Sequence, residues 1–324
     1  MNLRSAASIG TVCSAFLMLV PAVTTVVDAR LTSQNEPKIT CPPIVGIAHV
    51  ALRTNHPDAA RRFYGSILGF SDVSVPANAA AGRTTTIFKV NDHQYIEIFP
   101  GQADPRTDLL LHVAFETTSA RKLRNYLMLK NATRVGKLRR TDEGSQGFTL
   151  QDPEGHPIEF VQYFPGSVNR GTFGKDMPET RISTQIIHAG FIVRSRAAED
   201  RFFKNVLGFH LMWYGGMTNQ TTDWVDMRVT DGTNWLEYML NAREPSLRTL
   251  GVLYHFSLGV PSVAQAYKTV VERGYEPKKP QIGRDGKWQL NLYDPDGTRV
   301  ELMEPKPVRT PCCSRMLLAG ETRN

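Results

Sequence analysis

At 324 residues and 41% apolar side chains, the chain is long enough for two domains with cores of their own and too apolar for an intrinsically disordered one. Lys and Arg outnumber Asp and Glu by 38 to 31, a formal charge of +7 that is dispersed along the chain. Its densest basic runs, Arg121-Lys122 with Arg124 and Lys137-Leu138-Arg139-Arg140, lack the interleaved aromatics of a single-strand groove. No nucleic-acid partner is expected, while acidic small molecules are permitted as ligands.

Residues 1–29 carry Arg4, an apolar run from about Ile9 to Val27, and then Val27-Asp28-Ala29. Small residues at the last and third-last positions fit signal-peptide cleavage before Arg30. Pro21 and the threonines argue against a retained anchor, and no later stretch is long and apolar enough to span a bilayer. The mature protein is therefore expected to be exported (periplasmic or secreted), with no stable membrane association. Cleavage removes Arg4 and Asp28 together, so the charge stays at +7. Cys41, Cys312 and Cys313 would remain, and in an oxidising compartment Cys41 could bridge to one of the pair.

From Ile44 onward the chain repeats one plan four times. A strand with a single histidine in an apolar run opens each unit: Ile47–Arg53 with His49, Leu111–Phe115 with His112, Ile187–Phe191 with His188, and Tyr254–Leu258 with His255. Helices follow over His56–Leu68, Thr118–Lys130, Arg196–Leu207 and Pro261–Arg273, each with apolar residues at helical spacing. Gly69, Gly208 and Gly274 stand where the first, third and fourth should end. Each unit closes on a strand with one glutamate: Glu97, Glu159, Glu237 and Glu301. The turns Asp152-Pro153-Glu154-Gly155 and Asp294-Pro295-Asp296-Gly297 feed the second and fourth of these.

Histidine and glutamate are 48, 47, 49 and 46 positions apart in the four units. A carboxylate inside an apolar strand is costly unless a cation or donor meets it, and the partner on offer is the histidine. Units of this size bury a sheet face poorly alone and should pair. The fold expected is α+β, with four βαβββ modules paired into two domains, 42–166 and 184–305. Residues 167–183 read as a polar linker and 306–324 as a tail. Trp213-Tyr214-Gly215-Gly216-Met217 reads as a glycine-hinged loop able to act as a lid. His156 and His210 read by default as exposed turn residues, the alternative being groups that support the metal ligands from behind.

These motifs resemble the vicinal oxygen chelate superfamily, which includes glyoxalase I, extradiol dioxygenases and the bleomycin resistance proteins. The first module carries the likeness most fully, in His49-Val50-Ala51-Leu52-Arg53, Ala60, Phe63-Tyr64 and Leu68-Gly69-Phe70. The third keeps His188, Phe191, Val193, Phe202 and Leu207-Gly208-Phe209. The resemblance implies that each pair of modules closes a cup-shaped sheet around a metal. The ligands would be His49, Glu97, His112 and Glu159 in one cup, and His188, Glu237, His255 and Glu301 in the other. Such donors suit a divalent ion (Fe, Zn, Ni, Mn or Co). By likeness to glyoxalase I the catalytic base would be Glu159 or Glu301. By likeness to the extradiol enzymes the working triad would be His188, His255 and Glu301.

The function this implies is a metal-dependent enzyme of glyoxalase or dioxygenase type acting on a small oxygen-chelating substrate, isomerase/lyase-like or ring-cleaving. The alternative is a non-catalytic ligand-binding protein of the bleomycin-resistance kind. A homodimer is compatible with either.

Overall fold

Eight strands of the first half and eight of the second form two sheets of the same design. The computed structural model describes residues 40–77, 83–101, 109–141, 143–242, 244, 246–317 and 321. The expected signal peptide, 1–29, lies outside them. In the first half, β1 (Ile44–Thr54), β2 (Asp72–Ala77), β3 (Arg83–Lys89), β4 (Tyr95–Pro100), β5 (Leu110–Thr117), β6 (Arg139–Arg140), β7 (Gln146–Gln151) and β8 (Pro157–Gln162) take the order β2-β3-β4-β1-β5-β8-β7-β6. In the second, β9 (Ile186–Ile192), β10 (His210–Gly215), β11 (Trp224–Arg228), β12 (Trp235–Met239), β13 (His255–Gly259), β14 (Gln281–Ile282), β15 (Trp288–Tyr293) and β16 (Arg299–Met303) repeat it as β10-β11-β12-β9-β13-β16-β15-β14. The chain is thus α+β, with βαβββ modules joined in pairs along β1–β5 and β9–β13.

Strand alternation divides each sheet into two faces. Val50, Leu52, Ile96, Ile98, Val113, Phe115, Ile158 and Phe160 point to the helices and are buried in one continuous core with their counterparts from the second half. Phe115, Phe160 and Phe256 are fully buried, each contributing roughly 1.5–3 kcal/mol. The intervening residues, among them His49, Ala51, Glu97 and Glu159, face the concave side.

The first and third helices depart from the continuous α-helix that the apolar spacing predicts. α1 (Pro57–Arg61) widens into a π-helical turn over Arg62–Ile67. The other helices are α2 (Ala120–Leu129), α3 (Val168–Gly171), α4 (Arg196–Glu199), α5 (Leu247–Leu253) and α6 (Val263–Glu272), and α4 widens in the same way over Asp200–Val206. The i→i+5 bonds Leu68 N to Phe63 O (2.9 Å) and Leu207 N to Phe202 O (3.0 Å) mark the widening. The widening coincides with the consecutive aromatic pairs Phe63-Tyr64 and Phe202-Phe203, and it lets all four rings be buried. Serines cap α2 and α6: Ser119 Oγ accepts from Lys122 N and Ser262 Oγ from Gln265 N.

The two halves clasp each other at two kinds of place. Along β1 and β9, Gln94 Nε2 donates to Ile47 O and Ile186 O, while Asn234 Nδ2 donates to Ile186 O and its Oδ1 accepts from Ile47 N. At the ends, the Asp-Pro turns cross over. Glu154, from the second module, accepts from Arg194 N and Ser195 N ahead of α4. Asp296, from the fourth, accepts from Asn55 N and Thr54 Oγ1 ahead of α1.

The segment 167–183, which joins the halves, also carries α3 and is anchored by the buried Lys89, whose Nζ donates to Thr172 O and Lys175 O. Several local expectations are corrected. Trp213, Tyr214 and Gly215 lie in β10 rather than in a loop, and Trp213 is buried with Nε1 donating to Cys312 O. Residues 312–317 run back along β10, where Leu317 N bonds Met212 O and the Leu317 side chain is buried. Cys312 and Cys313 are bonded to each other, so Cys41 is the free thiol among the described residues, and burial pushes it up to about 12. His156 is half-buried between the halves, whereas His210 is exposed. Among the described residues no helix is long and apolar enough to cross a membrane.

Candidate metal centres

Strand register brings the four dispersed groups of each half together. Ala51, two residues past His49, lies level with Glu97 on one neighbouring strand and His112 on the other. Glu159 is level with Ala114, two past His112. In the second half Gly190 plays the part of Ala51, flanked by Glu237 and His255, and Glu301 is level with Ser257. Two-residue steps keep all eight side chains on the concave faces.

In the first cup His49 Nε2 is 3.1 Å from His112 Nε2, 3.4 Å from Glu159 Oε2 and 3.6 Å from Glu97 Oε2. His112 Nε2 is 3.0 Å from Glu159 Oε2. In the second cup His188 Nε2 is 3.1 Å from His255 Nε2, 3.4 Å from Glu301 Oε2 and 4.0 Å from Glu237 Oε2, and His255 is 3.1 Å from Glu237. All eight residues singled out in the sequence therefore converge, four to a cup. The tightest trios differ: His49, His112 and Glu159 in the first, His188, Glu237 and His255 in the second.

Both clusters fit a divalent cation. Two imidazole nitrogens aimed at each other across 3.1 Å need a proton or a cation between them. Burial holds His49 below its ordinary range, and His188 and His255 well below it, favouring the neutral ring that ligates metal. His255 Nδ1 donates to Leu253 O at 2.9 Å, which leaves the Nε2 lone pair facing the cup. Aromatic rings pack on the first histidine of each cup: Tyr95 stacks on His49 at 4.5 Å and Trp235 lies 5.0 Å from His188.

Electrostatics separate the two copies. Burial raises Glu159, but hydrogen bonds from His112 and His49 outweigh it and hold the group well below the carboxylate range. Arg139 Nη2 adds a contact at 3.1 Å. Glu301 has His188 at 3.4 Å, and burial pushes it up to about 8 although Arg299 pulls the other way. Asp226, level with Glu237 on β11, is buried and raised well above its ordinary value by burial and by that neighbour. Its place in the first cup is taken by Ile87.

The sequence agrees with this geometry across most of the chain. A family model described as the glyoxalase/bleomycin resistance protein/dioxygenase superfamily matches residues 46–160 and 185–302. The chain belongs to that superfamily. No curated protein matches it. Among solved structures, this glyoxalase-superfamily chain is similar to the 2,3-dioxygenase LapB from Pseudomonas sp. KL28, at 17% identity and a TM-score of 0.63 over 84% of this chain and 97% of that one. It is also similar to an extradiol ring-cleaving dioxygenase from B. fuscum, at 18% identity and a TM-score of 0.62 over 83% and 74%. At that identity the likeness is one of fold.

Sequence reasoning left several groups of the second cup unread. Asp226, Asp285, Lys287 and Arg299 all surround it, with Lys287 Nζ 3.4 Å from Asp285 and 4.4 Å from the Trp235 ring centre. Asp226 carried the same signal as the glutamates, a carboxylate in the apolar run Trp224–Arg228. It has no repeat in the other modules, so no periodicity drew attention to it.

Proposed function

We propose that the chain is a metal-dependent enzyme that moves a proton on a small substrate presenting two neighbouring oxygens, and that the second cup is its reaction centre. The observation supporting this is a cavity of about 340 Å³ lined by Glu237, Glu301, Arg299, Asn291, Trp213 and Trp224, which meets the His188–His255 cluster through the two glutamates. A divalent ion bound by His188, Glu237 and His255 would polarise the substrate oxygens as a Lewis acid. Glu301 stands outside that trio and lines the cavity, so its carboxylate takes the proton from the adjacent carbon and returns it. The indoles exclude water from the oxygens, and Arg299, whose Nε is buried without a hydrogen-bond partner, receives a negatively charged substituent.

The fold likeness to extradiol dioxygenases supports a second reading, ring cleavage with His188, His255 and Glu301 as the triad. One experiment separates them. Chelator-stripped protein is reloaded in parallel with Fe(II), Mn(II), Ni(II) and Zn(II), then assayed for isomerisation of hemithioacetals and for oxygen uptake with catechols. Isomerisation without oxygen uptake is the expected result, and oxygen uptake alone would overturn the proton-transfer reading. Neither activity, with small anions still bound, would leave a non-catalytic binder. His255→Ala is expected to abolish turnover and His49→Ala to spare it, and the reverse pattern would move the reaction to the first cup. Export, read from residues 1–29, puts this chemistry outside the cytoplasm, which fractionation of cells expressing the full chain tests.

A further inference from the structure

We propose a third divalent-cation site, apart from both cups, at the crossing of the two halves and ligated by Asp152, His156 and Glu199. Ligand atoms of the three lie within 4.8 Å of one another. Asp152 and His156 come from the turn between β7 and β8, Glu199 from α4, so the site is split between halves. His156 Nδ1 is 2.6 Å from Asp152 Oδ2. Glu199 is fully buried, and its carboxylate oxygens make no well-formed hydrogen bond, lying only against the Asp152 carboxyl and the Glu154 backbone. A carboxylate in that condition is costly until a cation or a proton meets it.

The internal duplication supplies the control. The other crossing, where the fourth module meets the first, has the same backbone. Asp152 N bonds His156 O at 3.0 Å, as Asp294 N bonds Thr298 O at 3.0 Å. Asp152 Oδ1 accepts from His156 N at 2.8 Å, as Asp294 Oδ1 accepts from Thr298 N at 2.8 Å. There the second oxygen is satisfied by a neutral hydroxyl, Tyr64 Oη donating to Asp294 Oδ2 at 3.0 Å. Counting from His49 and His188, the positions of Tyr64 and Ala60 are held by Phe203 and Glu199, and Thr298 corresponds to His156. Three changes act together: the hydroxyl is gone, and an imidazole and a second carboxylate stand around the same aspartate. That turns a closed hydrogen bond into one nitrogen and two oxygen donors, a set suited to zinc or manganese.

The surroundings fit. Ligation through Nδ1 requires the ring proton on Nε2, and Tyr254 Oη lies 3.2 Å from Nε2, placed to accept it. Phe191 packs on the ring, with centroids 4.5 Å apart. A cavity of about 320 Å³ lined by His156, Glu154, Arg194 and Tyr254, and by His112 of the first cup, reaches the imidazole. The rival occupant is a proton: burial, then the charges of Asp152 and Glu154, push Glu199 up to about 9.

The test uses the full chain and zinc as the probe. A His49→Ala/His188→Ala protein, with both cups disabled, is stripped with chelator and titrated with zinc by calorimetry, with bound metal counted by mass spectrometry. It is expected to bind one equivalent, and adding Glu199→Gln, which keeps shape and removes charge, is expected to abolish it. No binding by the cup-disabled protein, or an equivalent that survives Glu199→Gln, overturns the site in favour of a shared proton. Zinc-soaked crystals of the unmutated protein give a second measurement that needs no variant: an anomalous peak among the three side chains supports the site, and its absence overturns it. Neither readout depends on turnover, so the site stands or falls apart from the proposed reaction.

Discussion

Replacing Tyr64 by Phe removes one oxygen and nothing else from the crossing of the fourth and first modules. Tyr64 is fully buried, and its hydroxyl donates to Asp294 Oδ2 at 3.0 Å, while Asp294 Oδ1 keeps its bonds from Asp296 N and Thr298 N. A hydrogen bond to a charged group is worth about 1.5–3 kcal/mol. For a chain of 324 residues that lowers Tm by roughly 2–4 °C. The loss is also pH-dependent, with a definite sign. Burial pushes the Asp294 carboxyl from its ordinary 3.8 up to about 6, so the folded chain holds this proton more tightly than the unfolded chain does. Stability from the group is therefore full below 3.8 and declines as pH rises through about 6, by about 3 kcal/mol in all. Only the charged form relies strongly on the phenol. Tyr64→Phe is thus expected to lose the full amount at pH 8 and clearly less at pH 5, measured by thermal unfolding of both proteins in chelator. Equal losses at the two pH values would mean that packing, not the charged hydrogen bond, is what the hydroxyl supplies.

Gly190→Ala tests the hub of the second cup: an added Cβ would lie 2.2 Å from His255 Cε1, so the ring must move. Metal affinity there is expected to fall on the order of 10–100-fold, measured by titration, because the displaced ring carries the Nε2 that faces the cup; the fold cost stays at about 1–3 kcal/mol by Tm, since the backbone already accepts Ala51 at the matching place beside His112. Arg299→Gln is expected to raise KM for an anionic substrate by about 10–100-fold with kcat little changed; an unchanged KM sinks the role of that guanidinium. Stripping metal with chelator is expected to lower Tm, and restoring an ion at about 100 times its Kd to return about 2.7 kcal/mol per site, read by calorimetry.

The fold and the eight cup residues were legible because they obey a repeat. A histidine or glutamate alone in an apolar strand is conspicuous, and four copies at nearly constant spacing fix both the module and its pairing. What was not legible depends on side-chain reach. The carboxylate that joins each trio differs along with its flanking group, Arg139 beside Glu159 and Asp226 beside Glu237, and those contacts depend on strand pairing within a module rather than on a repeated spacing. The crossing of the Asp-Pro turns was equally hidden. Sequence neighbours pair through the sheets, while these turns join modules two with three and four with one, and nothing local records that His156 will meet Glu199. The cysteines misled for the opposite reason: sitting at opposite ends suggested a bridge, yet Cys41 is packed with core side chains and the adjacent pair closes on itself.

The exchanged turns make the four modules a closed circuit, in which every member is gripped on both sides and none is terminal. Loosening any one grip withdraws support from the sheet that carries the other half's ligands. Heating is accordingly expected to dissolve both cups in a single cooperative step. Halves severed within 167–183 would be driven to find each other again instead of living as independent proteins.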